Sequence, residues 1–237
     1  MKAEDSFTEP QVAAYRMAHE GDIERLLLVT RNGVSLNEPG KEGMTMLGFA
    51  VLTADRRAIL SLMHAGANAN QVIPNAGSPA ILAITHHYNP PRVEAVAALL
   101  EAGYDPNQLL SRGMPYLFYF VDYNHWPGFY LAIERGGNIN IRRKDGESLL
   151  TYLVQNGDYR QAREIIQLGA DCAARGERGE TALRAIEFRI RRCNPSIRKA
   201  WEESVAMRQL ILSKLPDPKD RCSAFTDEVE EKIRQNP

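Results

Sequence analysis

The residues able to do chemistry are sparse and scattered along the chain. Histidine and cysteine, the usual metal ligands and nucleophiles, occur at His19, His64, His86, His87, His125, Cys172, Cys193 and Cys222. No two cysteines form a Cys-x-x-Cys pair, and neither a cysteine nor a carboxylate completes a zinc set beside the paired histidines. Gly-x-Ser-x-Gly, His-Glu-x-x-His, phosphate-loop and dinucleotide-loop patterns are also missing. These residues predict no catalytic centre, metal site or cofactor, and they indicate that the protein is not an enzyme.

Composition excludes further classes of protein. The chain has 237 residues, 44% of them hydrophobic, and a net charge of -1. That charge argues against a protein that binds nucleic acid or anionic membrane over its whole surface. No run of eighteen apolar residues exists, and the first residues lack the apolar core of a secretory signal. We therefore expect no membrane insertion, a monomer when free, and a cytoplasmic protein if the chain is complete as written.

Glycines recur at a nearly fixed distance. The spacings are 33, 37, 33 and 33 residues for Gly33, Gly66, Gly103, Gly136 and Gly169. Four positions after each stand Asn37, Asn70, Asn107, Asn140 and, breaking the series, Ala173. Ten positions after each stand Gly43, Ala76, Gly113, Gly146 and Gly179. Because three registers repeat together, the chain is predicted to consist of stacked units of about 33 residues.

Each unit carries the signals of two helices. Residues 43–47, 146–150 and 179–183 share a Gly-x-Thr/Ser-x-Leu opening, in which the hydroxyl residue predicts a helix N-cap. Apolar residues at helical spacing follow, and the recurring glycine predicts a left-handed C-cap. The pattern resembles the ankyrin repeat over residues 8–215. That resemblance implies an all-α ankyrin-repeat solenoid of about six helix-turn-helix units with short β-hairpin-like loops.

The repeats divide the chain as follows. The six units are placed at 8–37, 38–70, 71–107, 108–140, 141–173 and 174–215. Residues 1–215 are therefore predicted to form the repeat domain, and the last unit, with a helix that starts near Asn194-Pro195-Ser196, its atypical cap. Residues 216–237 form a charged C-terminal tail, which we interpret as an appended helix or a partly disordered segment.

The third unit contains four extra residues. They fall within residues 85–91, between its two helices, and include His86 and Tyr88. A longer surface loop is readily tolerated, so the insertion is interpreted either as a neutral loop or as a projecting finger that touches a partner.

The fourth unit concentrates aromatic residues. Eight of the chain's eighteen lie between residues 116 and 130. Phe118, Phe120 and Phe129 are predicted to fill a widened core, while Pro127-Gly128 is expected to interrupt the second helix near its start. Tyr123 and Trp126 fall near the turn between the helices and are predicted to bind a partner, because amphipathic aromatics are enriched in binding hot spots.

Charge is unevenly distributed. Residues 1–140 carry a net charge of -4, residues 141–200 a net of +5 and residues 201–237 a net of -2. A basic patch at the hairpin tips of the fifth and sixth units either meets an acidic partner or forms local ion pairs on a solvated face. Its members are Arg142, Arg143, Lys144, Arg175 and Arg178.

The ankyrin resemblance also implies which positions are exposed to a partner. They are Lys41, Glu42, Met44, Leu52 and Thr53 in the second unit, Ser111, Arg112, Met114, Asp122 and Tyr123 in the fourth, and Lys144, Asp145, Glu147, Gln155 and Asn156 in the fifth. Met44, Leu52 and Met114 beside Tyr123 are expected to give an apolar centre with charged flanks, the anatomy of a protein interface. The candidate partner-binding residues are Lys41, Glu42, Met44, Leu52, His86, Tyr88, Arg112, Met114, Asp122, Tyr123, Trp126, Arg143 and Lys144.

A narrower resemblance concerns function. Residues 7–13, residues 40–47 and the closing Asn194-Pro195…Trp201-Glu-Glu-Ser-Val segment are similar to bacterial ankyrin immunity proteins paired with type VI secretion phospholipase effectors. The resemblance implies a periplasmic protein from which a signal segment has been removed. It also implies stoichiometric inhibition, in which the concave face blocks the toxin's active site or its approach to membrane. The alternative is an ankyrin scaffold or regulator that binds an endogenous protein.

Overall fold

A computed structural model of the chain describes residues 2–85, 93–110, 113–221 and 223–236. Over these ranges the regular structure is helical, with short 3-10 helices at Lys41–Gly43 and Pro218–Arg221 and no β-strand. The α-helices are α1 Ala3–Ser6, α2 Glu9–Glu20, α3 Ile23–Arg31, α4 Met46–Leu52, α5 Arg56–His64, α6 Pro79–Thr85, α7 Glu94–Glu101, α8 Tyr116–Asp122, α9 Trp126–Glu134, α10 Leu149–Asn156, α11 Tyr159–Gln167, α12 Ala182–Arg192, α13 Arg198–Lys214 and α14 Thr226–Gln235.

Helices α2 to α13 form six consecutive pairs, as the repeat predicts. Two of the connections between pairs contain a turn closed by an isolated antiparallel bridge, Ile73 with Gly77 and Arg142 with Ser148. The predicted fold class, an all-α ankyrin-repeat solenoid with hairpin-like loops, is confirmed.

Predicted caps begin and end the helices. Thr45 accepts a hydrogen bond from the Gly48 amide at 3.0 Å, and Thr181 accepts one from the Arg184 amide at 3.1 Å. At the other end of each pair the recurring glycine has a positive φ, for example +95° at Gly66, with open space where a side chain would project. The glycine spacing therefore reflects a backbone conformation that other residues adopt with strain.

The recurring asparagines connect successive repeats. Asn37 Nδ2 donates to the Gly66 carbonyl at 3.4 Å, and Asn140 Nδ2 donates to the Gly169 carbonyl at 3.2 Å. Asn140 Oδ1 also accepts from the Asp171 amide at 2.8 Å. Asn37 and Asn140 thus satisfy backbone groups at the end of the next helix pair.

The chain divides into two compact units, Met1–Leu110 with Tyr116–Gly137, and Ser111–Pro115 with Asn138–Pro237. In the first unit the first helices α4, α6 and α8 pack in sequence, and the second helices α5, α7 and α9 do the same. Phe118, Phe120 and Phe129 are fully buried there, which confirms that they belong to the core.

In the second unit α12 is the central helix, because it packs against α10, α13 and α14. Glu187 on α12 is fully buried and lies 2.7 Å from Arg208 Nε of α13. The same carboxylate accepts hydrogen bonds from Ser223 and from Thr226 at the start of α14. The tail after residue 216 thus contains a helix that is fixed to the last repeat by a buried polar network.

Candidate protein-binding surface

The hairpin tips of the second and third repeats enclose a groove of about 690 Å³. Lys41 and Glu42 are exposed at its rim, and Met44 is half-buried in its wall. Gly43, at φ +77°, lies where a Cβ atom would come within 2.4 Å of Pro74 Cδ. The two tips therefore pack tightly against each other, and the rim side chains project from a well-supported turn.

Further candidate partner-binding residues lie at the ends of α4 and α8, which belong to the same compact unit. Leu52 is half-buried at the end of α4, whereas Asp122 and Tyr123 are exposed at the end of α8. Tyr123 keeps 48% of its surface exposed. Because α4, α6 and α8 pack side by side, these residues occupy equivalent ends of stacked helices.

Trp126 differs from Tyr123. Its indole donates from Nε1 to Asn124 Oδ1 at 2.6 Å, and its ring meets Phe129 edge-to-face at a centroid distance of 5.4 Å. The side chain is half-buried, so it has a packing role besides any binding role.

The expected interruption of the second helix at Pro127 is wrong. Helix α9 begins at Trp126, and Pro127 occupies its first turn, where no helical hydrogen bond needs the missing amide proton. His125, which is buried, caps this helix by accepting a hydrogen bond from the Gly128 amide at 3.1 Å.

The second unit contains the remaining described candidates. Lys144 is exposed and Met114 is half-buried, and a Cβ atom on Gly113 would lie 3.3 Å from Lys144 Cβ. Arg143 is engaged locally, since its guanidinium lies 2.9 Å from Glu147 Oε2 and 5.4 Å from the centre of the Tyr152 ring. Candidates His86, Tyr88 and Arg112, with the predicted finger and Ser111, lie outside the described residues.

Glu147 is expected to be exposed, but it is not, unlike the other positions of the fifth repeat that the sequence predicts to be exposed. Its side chain is only 12% exposed, because it folds back onto Arg143. Burial raises the pKa of this carboxyl above its usual value, partly offset by the hydrogen bond from Arg143.

Ion pairs account for much of the predicted basic patch. Arg142 lies 3.9 Å from Asp171, and Arg175 lies 2.6 Å from Asp220. With the Arg143–Glu147 pair, three of the five predicted members therefore have a local carboxylate.

A stronger basic surface on α12 was not predicted. Arg184, Phe188, Arg189 and Arg192 line two adjoining hollows on this helix, together with Arg178 and Phe225. Its sequence signal is the four-residue spacing of Arg184, Phe188 and Arg192, which places all three on one helical face.

Titratable groups do not converge on a reactive centre in the part of the chain described. No group of three or more His, Cys, Asp and Glu side chains there is arranged to hold a metal ion. Burial raises the pKa of the Cys172 thiol to about 11, which disfavours the reactive thiolate. Asp55 accepts from Tyr15 at 3.1 Å, lies 2.6 Å from His19 Nδ1 and caps α5. This group therefore joins α2 to α5.

Among the described helices, none has both the length and the apolar character needed to cross a bilayer.

Comparisons with known proteins agree with this architecture. No family model matches the chain. A curated ankyrin repeat-containing protein of Schizosaccharomyces pombe, P1E11.10, is 31% identical over 97 residues. That match covers 40% of this chain, and the chain spans only 45% of the length of the relative.

Solved structures match over most of the chain. The ankyrin repeat protein EF0377 aligns with a TM-score of 0.56 and 21% identity, covering 87% of this chain and 99% of its own. An ankyrin repeat domain from Acinetobacter baumannii AYE aligns with a TM-score of 0.55 and 18% identity, covering 82% and 97%.

A third match is a chain in the complex between the Bdellovibrio bacteriovorus predatory endopeptidase Bd0816 and the immunity protein Bd3460. Its TM-score is 0.53 at 21% identity, covering 86% of this chain and 98% of the matched chain. Together, the internal repeat and these likenesses show an ankyrin-repeat fold.

Proposed function

We propose that the protein is a non-catalytic binding module that neutralises a secreted toxin of the phospholipase type. The observation that carries the binding role is the exposed Tyr123 at the end of α8, on a unit whose first helices stack in order. An exposed aromatic on a rigid element is a favourable anchor, because little conformational entropy is lost when it binds.

The toxin-neutralising part of the proposal has two supports. One is the similarity of residues 7–13, residues 40–47 and the closing helix to bacterial ankyrin immunity proteins. The other is that a chain of the complex between the endopeptidase Bd0816 and the immunity protein Bd3460 shares this fold. The proposed mechanism is stoichiometric blocking of the toxin's active site or of its approach to membrane, without chemistry by this chain.

We further propose that the protein acts in the periplasm, where a phospholipase effector meets its lipid substrate. The candidate contacts in the first unit are Lys41, Glu42, Met44, Leu52, Asp122, Tyr123 and Trp126. In the second unit they are Met114, Arg143 and Lys144. The charged residues at the tips are expected to steer the encounter, and the apolar ones to contribute most of the affinity.

Co-expression tests this proposal. The proposed phospholipase-type effector is directed to the periplasm of a host bacterium, with this protein directed to either the periplasm or the cytoplasm. We expect growth to be rescued only by the periplasmic form, in proportion to its amount, and an inactive effector to be harmless throughout. Lysis of the host despite comparable periplasmic expression of this protein would contradict its toxin-neutralising role. Recovery of an endogenous protein without rescue would favour a scaffold or regulator.

A further inference from the structure

A basic groove follows α12 in the second unit. One hollow of about 560 Å³ is lined by Arg178, Glu180, Arg184, Phe188, Arg189 and Phe225, among others. A second hollow of about 440 Å³ shares Phe188 and Arg189 and extends to Arg192 and Glu203. We call these two adjoining hollows the α12 groove. Of its arginines, only Arg178 belongs to the basic patch that the sequence predicts.

The arginines of the α12 groove form no ion pair with the carboxylates that the structure describes. Elsewhere in this unit, Arg175 lies 2.6 Å from Asp220 and Arg191 lies 2.7 Å from Glu228. By contrast, no ion pair involves Arg178, Arg184, Arg189 or Arg192 within the described ranges. These four arginines outnumber the two carboxylates that line the same hollows, Glu180 and Glu203, so the groove has an excess of positive charge that favours an acidic ligand.

One of these arginines is already held in position. Arg189 donates from Nε to the Tyr159 hydroxyl at 2.9 Å and from Nη1 to the Gln155 carbonyl at 2.6 Å. A Cβ atom at Gly157 would lie only 2.7 Å from Arg189 Nη2, so the glycine makes room for the guanidinium. An ordered guanidinium binds a carboxylate with a smaller entropy loss than a freely moving one.

The groove also has an apolar floor. Phe188 remains 43% exposed although it lies 5.9 Å from the Phe225 ring, centre to centre. The Arg192 guanidinium lies 5.3 Å from the centre of the Phe188 ring. An exposed aromatic flanked by arginines fits an apolar side chain with carboxylates on either side.

We propose that the α12 groove binds an acidic segment of the partner protein, with an apolar side chain on Phe188 and carboxylates on Arg184, Arg189 and Arg192. The inference rests on the proposed protein-binding function and adds the chemistry of the bound segment. Glu180 and Glu203 line the same hollows and would repel the dense charge of a polyphosphate, whereas a peptide can place its carboxylates selectively.

Fluorescence anisotropy tests the inference with two labelled peptides, Gly-Asp-Glu-Phe-Asp-Glu-Gly and its basic counterpart Gly-Lys-Lys-Phe-Lys-Lys-Gly. We expect the full chain to bind only the acidic peptide, with an affinity that falls as salt rises from about 50 mM to about 500 mM. Arg184→Glu should weaken this binding by about tenfold or more. Arg160→Glu, an equal change of charge on α11, should not.

A second pair of variants tests the apolar floor. Phe188→Ser should weaken binding of the acidic peptide, whereas Leu168→Ser, at a side chain of similar exposure on the end of α11, should leave it unchanged. Circular dichroism and thermal melts of all four variants check that the fold is retained.

Several results would overturn the inference. They are equal binding of the two peptides, equal losses in the test and control variants, or displacement of the acidic peptide by phosphatidylglycerol vesicles or a single-stranded oligonucleotide. Self-association that Arg184→Glu abolishes would instead assign the groove to a second copy of the chain. If the effector binds the Arg184→Glu variant normally, this inference fails and the toxin-neutralising proposal stands. If the acidic peptide binds but the effector does not, this inference stands and the toxin-neutralising proposal fails.

Discussion

Aromatic side chains of the fourth repeat divide into a core group and a surface group. Phe120 is fully buried and packs edge-to-face with Tyr116 at a centroid distance of 4.9 Å, whereas Tyr123 is 48% exposed. The sequence predicts this division because Phe120 stands within the helix, where ankyrin repeats usually have alanine, and Tyr123 follows its end. It does not predict that Trp126 packs on Phe129, because that contact depends on where α9 begins.

Replacement of these residues should separate stability from binding. Phe120→Ala should lower the free energy of unfolding by about 3–5 kcal/mol, since it leaves a large cavity. Tyr123→Ala should change it by no more than about 0.5 kcal/mol, as expected for a surface position. Urea denaturation measures both values, and a comparable loss in the two variants would place Tyr123 in the core.

Cys172 should be a slow target for thiol reagents. Burial raises its pKa from 9.0 to about 11, so at pH 8 the thiolate fraction should be about a hundredfold lower than in an unperturbed thiol. In a variant with Cys193 and Cys222 replaced by serine, we expect alkylation to be slow and to accelerate as pH rises toward 11. Mass spectrometry of the alkylated chain follows the reaction. A rapid reaction at pH 8 that is independent of unfolding would contradict this prediction.

The repeat spacing predicts the contact between a recurring asparagine and the carbonyl of the recurring glycine in the next repeat. Asn140 meets the Gly169 carbonyl, as the spacing requires. Asn70 departs from the pattern, because its Oδ1 accepts from the Tyr104 hydroxyl at 2.7 Å. The series ends at Ala173, which is followed by the atypical last repeat.

Helix α14 completes the last repeat. Lys232 Nζ donates to the carbonyls of Ile190, Arg191 and Cys193 at 3.0, 2.7 and 2.9 Å. These carbonyls lie at the end of α12, where the last carbonyls of a helix have few partners within it and the helix dipole favours a positive charge. The tail therefore adds a charged donor to the end of α12, beside the backbone amide of its C-cap residue Cys193.

Removal of that donor should destabilise the protein. Lys232→Met keeps much of the side-chain length but loses the charge and its donors, and should lower the free energy of unfolding by about 1.5–3 kcal/mol. Arg234→Met, at an exposed position of the same helix, should change it little. Equal effects in parallel denaturation curves would mean that the carbonyl contacts of Lys232 contribute nothing.

The sequence does not predict how α14 packs, because the residues that it contacts are distant along the chain. Glu187 is 36 residues from Ser223 and 39 from Thr226, so no local pattern predicts their contact. The α12 groove was missed for a related reason. The spacing of Arg184 and Arg192 is visible, but whether they form ion pairs depends on the placement of every neighbouring carboxylate.

For the whole molecule, the periodicity predicts the six helix pairs and the fold class, because each repeat has the same local signals. The net charge of -1 conceals a segment of +5 at residues 141–200, and structure alone separates its paired arginines from those of the α12 groove. The division into two compact units has no signal in the repeat spacing, which continues unchanged across residue 137.

Titration calorimetry between the purified protein and the proposed phospholipase-type effector tests the central claim most directly. We predict a complex of equal amounts of the two proteins, weakened about tenfold or more by Tyr123→Ala. Leu28→Ala, at an exposed apolar residue of α3 in the same unit, should bind like the wild type. Absence of a complex between folded proteins, or binding that is the same in wild type and the Tyr123→Ala variant, would contradict the account.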